Sequence, residues 1–173
     1  LVALLALLVP SLLLGQTRDE KVRNDRERVA DDDHWIYTDL PLGLRLAKNE
    51  GKPLLVVFRC IPCEACALLD EQVVGREPGV REIMDQFVCV RIPKGNAMDL
   101  TQFQFDYDLS FQAFFMNADG TIYGRYGTRS SREHADRDVS LEGFAASMQA
   151  ALMLHKDYPN NKQLLAGKQP KAV

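Results

Sequence analysis

The sequence predicts an α/β fold in which a central mixed sheet of about four to five strands carries helices on both faces, a three-layer sandwich. Two observations predict it. Short apolar runs of strand length alternate with segments of helical periodicity, and two later apolar runs flank a tight-turn dipeptide. Strands joined by a helical crossover are parallel and strands joined by a tight turn are antiparallel, so the sheet is mixed. The chain has 173 residues, which is enough for one domain with a substantial core.

The first part of the predicted domain runs helix, strand, helix. Apolar residues between positions 40 and 47 indicate a helix that ends near Gly51, because glycine is a common stop signal. The apolar run 54–58 is the first core strand, and a helix follows it from about residue 63 to residue 74.

A further helix and strand complete the crossover unit. Pro78 marks the helix start, and the apolar side chains that follow recur at the spacing of one helical face. Residues 87–92 form the next strand, which Pro93 ends. We expect this strand to lie parallel to the first.

The C-terminal part is a hairpin followed by a long helix. Runs 112–116 and 121–126 flank Asp119-Gly120, which predicts two antiparallel strands joined by a turn. Segment 98–108, which precedes them, is predicted to be a short helix. Ser140 can cap the last helix, because its hydroxyl can accept a hydrogen bond from a backbone N–H of the first turn.

Three segments organise the chain. Residues 1–15 are apolar, too short to span a bilayer comfortably, and of the length of a signal-peptide core, so we expect a signal peptide truncated at its N-terminus. Residues 16–34 are mostly charged and lack an apolar face, which predicts a solvated linker or a fraying helix. The domain then covers residues 35–173. The expected location is periplasmic or otherwise extracytoplasmic, without stable membrane insertion after cleavage.

The charge balance bears on the partners. The net charge is −3, and the composition shows no basic surface that could follow a phosphate backbone. The sequence therefore gives no support to nucleic-acid binding.

The chemistry is predicted from the string Cys63-Glu64-Ala65-Cys66, which directly follows a buried strand. A helix N-terminus carries partial positive charge and favours a thiolate, so Cys63 in a first turn would be nucleophilic near neutral pH. Cys66, three residues on, would share its helical face and could attack a mixed disulfide. Glu64 would raise the pKa of the neighbouring thiol, whereas Arg59 and the helix terminus would lower it, and the sequence leaves the sum open.

Two further cysteines bring the total to four. Cys60 lies three residues before Cys63, so the cluster closes almost no loop and suits reactivity better than stapling. Cys60 is either a small buried residue at the strand end or an auxiliary thiol that bridges to Cys63 or serves as a third ligand. Cys89 lies within an apolar strand, which favours core packing.

A family resemblance is carried by ordered motifs. Gly51-Lys52-Pro53, the strand after it and Cys63-x-x-Cys66 resemble exported thioredoxin-like proteins, the periplasmic disulfide-interchange reductases in particular. Asn117-Ala118-Asp119-Gly120 resembles their hairpin turn, and the similarity covers roughly residues 35–154. It implies a thioredoxin-like three-layer sandwich in which Cys63 is the attacking and Cys66 the resolving thiol. It also implies protein disulfides as substrates, an electron donor that the sequence does not identify, and no cofactor.

Three positions depart from the family pattern. Pro62 precedes Cys63 where the family usually has Trp, and Val57 stands where thioredoxins bury an acid. The stretch 108–112 lacks the cis-proline that normally faces the thiols, and we expect a trans bond between Ser110 and Phe111 because a non-proline cis bond costs about 3 kcal/mol. Pro62, Ser110 and Phe111 are therefore the candidate substrate-groove residues.

The leading interpretation is an exported thiol–disulfide oxidoreductase that binds no metal. Two alternatives to it stay open. Cys60, Cys63 and Cys66 could together bind a soft metal such as copper(I), because thiolates are soft ligands. The domain could also be a non-catalytic thioredoxin-like interaction module. Disulfide exchange without metal uptake would favour the oxidoreductase.

Overall fold

The fold is described from a computed structural model that covers residues 16–30, 32–64, 66–93, 99, 101–103, 110–127, 134 and 138–168. The predicted signal peptide, residues 1–15, and most of the predicted short helix at 98–108 lie outside these residues. The helices are α1 (Arg18–Ala30), α2 (Leu40–Glu50), α3 (Ala67–Val74), α4 (Pro78–Met84) and α5 (Leu141–Asp157). The strands are β1 (Trp35–Tyr37), β2 (Leu54–Arg59), β3 (Val88–Ile92), β4 (Phe111–Met116) and β5 (Ile122–Tyr126).

The five strands form one mixed sheet in the order β1-β3-β2-β4-β5. β3 runs parallel to both β1 and β2, while β4 is antiparallel to β2 and to β5. The predicted crossover and hairpin are both present. β1 pairs Trp35 with Cys89 and adds an edge strand where the sequence predicted only the start of the packed region.

Helices cover both faces, which confirms the predicted three-layer sandwich. One face packs against α2 through a core that contains Leu54, Val56 and Phe58. The other face packs against α1, α3, α4 and α5 through a core that contains Leu55 and Val57. The alternation along β2 is that of a central strand whose side chains point to opposite faces. Arg59 continues it, and its side chain therefore belongs to the face that α1 and α3 cover.

Two predicted helix ends are explained by local chemistry. Gly51 ends α2 with φ of 64°, a left-handed conformation that costs glycine nothing. Ser140 begins α5, where its Oγ accepts a hydrogen bond of 3.0 Å from the Gly143 N–H.

α2 lies so close to β3 that one helical position needs glycine. A Cβ on Gly43 would overlap Val90 Cγ2. Gly43→Ala is therefore expected to lower the free energy of unfolding by about 1–3 kcal/mol, as overpacking of a core contact does. Urea unfolding measures it. Gly79→Ala in α4, whose added Cβ would meet nothing nearer than 4.0 Å, is the control. It is expected to be neutral or stabilising, since alanine is the better helix former, and an equal loss in both variants would contradict the clash.

The segment predicted to be a solvated linker or a fraying helix is a helix in the structure, but it is not solvated on all sides, because residues 18–30 form α1 and dock on the sheet. Asp25 and Val29 are 5% and 1% exposed. The Tyr37 hydroxyl donates a hydrogen bond of 2.9 Å to Asp25 Oδ2. The buried residues of the helix are one charged and one apolar side chain rather than an apolar stripe, which is why hydrophobic periodicity did not reveal its docking. None of the helices in the described ranges is long and apolar enough to cross a lipid bilayer.

Candidate functional site

The cysteine cluster lies in the loop that leaves the C-terminal end of β2. Cys60 and Cys63 are joined by a disulfide, with their Cα atoms 5.4 Å apart. The Cys63 N–H donates to the Cys60 carbonyl at 3.0 Å, which closes a tight turn that contains Pro62. The Cys60 N–H donates to the Ser110 carbonyl at 2.9 Å and so fixes the loop to the start of β4. Both cysteines are partly exposed.

The observed pairing is the bridge to Cys63 that the sequence left open for Cys60, in place of the leading Cys63–Cys66 pair, and the helix starts later than predicted. Cys63 is bonded to Cys60 rather than to Cys66, and α3 begins at Ala67 rather than near residue 63. The turn through Pro62 draws Cys63 back toward Cys60, so Cys63 lies before the helix rather than in its first turn. Cys66 instead occupies the N-cap position of α3 with φ of 61°, and it is 5% exposed and outside any disulfide.

Arg59 is the charged residue that holds this loop in place. One of its terminal nitrogens donates to the Cys60 carbonyl at 2.6 Å and to the Ser110 carbonyl at 2.9 Å. The other donates to the Cys63 carbonyl at 2.7 Å. Its side chain is 3% exposed. The backbones of both bridged cysteines are thus fixed to a single buried guanidinium.

A chain of buried ion pairs continues from Arg59 to helix α1. Arg59 Nε lies 3.3 Å from Asp70 Oδ2 without hydrogen-bond geometry. Arg91 donates to both carboxylate oxygens of Asp70, at 2.7 and 2.9 Å. Arg91 also donates to both oxygens of Asp25, at 2.8 and 3.1 Å. We call Arg59, Asp70, Arg91 and Asp25 the charge chain.

The charge chain follows from the parity of the strands. Arg91 pairs with Val57 in the parallel β2–β3 ladder, so it lies on the same sheet face as Arg59. Two guanidinium groups taken out of water beside each other are very unfavourable unless carboxylates neutralise them. α3 supplies Asp70 and α1 supplies Asp25, and the four buried charges sum to zero.

Three pKa shifts report this coupling. Burial opposes the ionisation of Asp25, but the hydrogen bonds and charge of Arg91, with the Tyr37 hydroxyl, outweigh it and hold the pKa of Asp25 below its ordinary value. Burial likewise opposes the charge of Arg91, but the hydrogen bonds to Asp70 and Asp25 raise the pKa of Arg91 above its ordinary value. Burial lowers the pKa of Arg59, against the attraction of Asp70.

A cavity of about 180 Å³ opens beside the disulfide. Ile61, Pro62 and Cys63 form one wall, while Lys21 and Arg28 of α1 contribute to another. Its volume suits one small group of a reacting molecule. Of the two bridged cysteines, Cys63 is the one that lines it.

The predicted substrate-groove residues do not act together. Pro62 lines the cavity, whereas Ser110 and Phe111 are 4% and 1% exposed. The Phe111 ring packs edge-on against Phe144 in the core. Both side chains are therefore unavailable to a substrate in this state, and the carbonyl of Ser110 is already hydrogen-bonded to the cysteine loop. The Ser110–Phe111 peptide is trans, as predicted, because the cis bond found within the described ranges is Tyr158–Pro159.

Cys89 lies in the core, as the sequence predicted. It is 1% exposed, its Sγ lies 3.1 Å from His34 Nε2, and burial raises the pKa of its thiol. Among the described residues no three histidine, cysteine or acidic side chains are grouped so that they could hold a metal ion. In the soft-metal alternative Cys60 and Cys63 would both be thiolates, whereas here they form a disulfide.

Residues 35–118 match the sequence model of a family described as thioredoxin-like. The domain is thioredoxin-like. Its sheet order, its crossover and the position of the cysteine loop after β2 agree with that match. No curated protein matched the chain in sequence.

The thioredoxin-like domain carries two features that sequence reasoning missed. Because β2 has Val57 where thioredoxins bury an acid, the sequence predicts no carboxylate near the thiols. The helices nevertheless bring two carboxylates, Asp70 and Asp25, to the sheet face on which Val57 lies. α1, which carries Asp25, lies outside the matched residues. The thioredoxin-like domain and the Cys60–Cys63 pair together fit a thiol–disulfide oxidoreductase.

Proposed function

We propose that this protein exchanges disulfides with extracytoplasmic protein substrates through the Cys60–Cys63 pair. The observation that supports it most is a partly exposed disulfide, held by a buried arginine at the end of a central strand and beside an open cavity. Cys66 is neither the attacking nor the resolving thiol in this scheme, because it is buried at the N-cap of α3.

The reaction is written here in the reducing direction. The Cys63 thiolate attacks one sulfur of a substrate disulfide, a mixed disulfide forms, and the other substrate sulfur leaves as a thiolate that takes up a proton. The Cys60 thiol loses its proton and attacks Cys63 Sγ, which releases the second substrate thiol and leaves the Cys60–Cys63 disulfide. A dithiol donor returns that disulfide to the dithiol by the reverse exchange. Cys63 is the attacking residue because it borders the cavity.

Thiol trapping of single-cysteine variants tests the assignment. Exchange with an oxidised model protein is followed by maleimide mass tagging and peptide mapping. Cys63→Ser is expected to abolish exchange, because it removes the attacking sulfur. Cys60→Ser is expected to accumulate a mixed disulfide at Cys63. Cys66→Ser is the matched control, because Cys66, like Cys60, is three residues from Cys63. It is expected to leave exchange close to wild type.

Two outcomes would contradict the scheme. Exchange that survives Cys63→Ser would overturn the proposed activity. Mixed disulfides that accumulate in Cys66→Ser but not in Cys60→Ser would return the resolving role to Cys66, with the activity retained.

A further inference from the structure

A chain of buried charges joins the cysteine loop to helix α1. Arg59 donates to the carbonyls of Cys60 and Cys63, at 2.6 and 2.7 Å. Arg91 then links Asp70 to Asp25 of α1 through four hydrogen bonds of 2.7–3.1 Å. The residues of the charge chain are all 5% exposed or less.

The burial of the charge chain gives it range. Coulomb interactions between buried groups are weakened far less by solvent than those at the surface. We therefore expect a change of one unit charge at Asp25 to alter the electrostatic potential at the cysteine loop, to which Arg91, Asp70 and Arg59 connect it. The other charged groups that face the cavity beside Cys63 lie nearer to solvent; they are Lys21, Arg28, Glu64 and Glu71.

We propose that the charge chain sets the reduction potential of the Cys60–Cys63 disulfide, and that α1 takes part in setting it through Asp25. The proposal rests on the proposed function, and it assigns Arg59 and Asp25 as positioning residues.

The sign of each contribution follows from the charge that reduction creates. Two electrons and one proton convert the neutral disulfide into one thiol and one thiolate, so reduction adds a negative charge beside Arg59. Arg59 stabilises that charge, and Asp25 opposes it. Asp25→Asn gives the charge chain a net positive charge, which should lower the thiol pKa and favour the reduced form. Arg59→Gln gives it a net negative charge, which should do the reverse.

Opposite shifts distinguish electrostatic tuning from loss of structure. Both substitutions break buried ion pairs and should destabilise the fold in the same direction. Their effects on the redox equilibrium, by contrast, should have opposite signs. A merely structural role of Asp25 or Arg59 would not produce that difference.

The experiment equilibrates the full chain with reduced and oxidised glutathione and measures the fraction of Cys60–Cys63 disulfide by alkylation and mass spectrometry. Asp25→Asn is expected to shift the equilibrium constant about tenfold toward the dithiol, which corresponds to about 30 mV. Arg59→Gln is expected to shift it by about the same factor toward the disulfide. The pH dependence of iodoacetamide alkylation at Cys63 should move accordingly, to lower pH in Asp25→Asn and to higher pH in Arg59→Gln.

Three further variants complete the design. Arg59→Lys keeps the positive charge, so its redox equilibrium should be much closer to wild type than that of Arg59→Gln. Arg28→Gln removes a cation that is 46% exposed and lies 3.2 Å from Asp25, so it should fold and shift the equilibrium toward the disulfide by a smaller factor. If Arg59→Gln does not fold, Arg28→Gln still tests the expected shift toward the disulfide. Glu50→Gln is the control. Glu50 lies before β2, at the opposite end of the strand from Cys60, so this variant should leave the redox equilibrium unchanged.

The outcomes separate this inference from the proposed function. A wild-type chain that forms no glutathione-dependent Cys60–Cys63 disulfide would overturn both. A wild-type chain that forms it, with Asp25→Asn shifted in the same direction as Arg28→Gln or not at all, would overturn the role of Asp25 and leave the oxidoreductase proposal intact.

Discussion

Arg91→Met is expected to lower the free energy of unfolding by about 3–5 kcal/mol, the range for removing one partner from a buried ionic group. The Arg91 side chain is 0% exposed and donates to both oxygens of Asp25 and of Asp70. Methionine fills part of the same volume but leaves two buried carboxylates without those hydrogen bonds. Urea unfolding followed by far-ultraviolet circular dichroism measures the loss.

Two comparisons make that result specific to burial. Arg28→Met removes an arginine that also contacts Asp25, at 3.2 Å, but is 46% exposed, and it should cost at most about 1 kcal/mol. The double variant Asp25→Asn/Arg91→Met should be more stable than additivity of the single variants predicts, because it no longer buries the Asp25 charge. If Arg91→Met costs no more than Arg28→Met, the charge chain does not hold α1 to the sheet.

Most of the fold could be predicted because its signals are local. The apolar run of β2, the helix start at Pro78 and the turn at Asp119-Gly120 each depend on a few neighbouring residues, and all three are present. β1 could not be predicted, since three residues are too few to show an alternating pattern. The docking of α1 was missed for another reason: the helix's contacts with the sheet are made largely by Asp25, and a charged residue that is buried by an ion pair looks solvated in sequence.

The site was predicted only in part. The sequence located the reactive loop, but Cys60–Cys63 and Cys63–Cys66 have the same spacing, so spacing alone could not choose between them. The turn at Pro62, closed by a hydrogen bond from Cys63 to Cys60, brings the first pair together. The charge chain had one sequence signal. Arg59 and Arg91 lie in otherwise apolar strands, and a strand arginine that shares a face with core residues requires a buried carboxylate.

Acid sensitivity follows from two carboxylates. Arg91 keeps the pKa of Asp25 below its ordinary value although burial opposes this. Burial also opposes the ionisation of Asp119, but its hydrogen bonds with the Tyr158 hydroxyl and with Thr121 lower its pKa to about 2. Both groups are proton-free in the folded protein at a pH where the unfolded chain, with aspartate pKa values of about 3.9, already binds protons. Their stabilisation is therefore complete above the unfolded pKa and is lost as the pH falls through the folded one.

We therefore expect the free energy of unfolding to be constant from neutral pH to about pH 5 as far as these two groups decide it, and to fall steeply toward about pH 2. Each carboxylate contributes a slope of at most about 1.4 kcal/mol per pH unit, and Asp119, which is the more exposed, contributes less because solvent screens it. Urea unfolding across this pH range measures the slope. Asp25→Asn and Asp119→Asn should each flatten it, and Tyr158→Phe should act like a weaker Asp119→Asn because it removes a hydrogen bond and keeps the carboxylate. An unchanged slope in Asp25→Asn would mean that Arg91 does not favour the charged form of Asp25, and the tie between α1 and the cysteine loop would then lose its electrostatic basis.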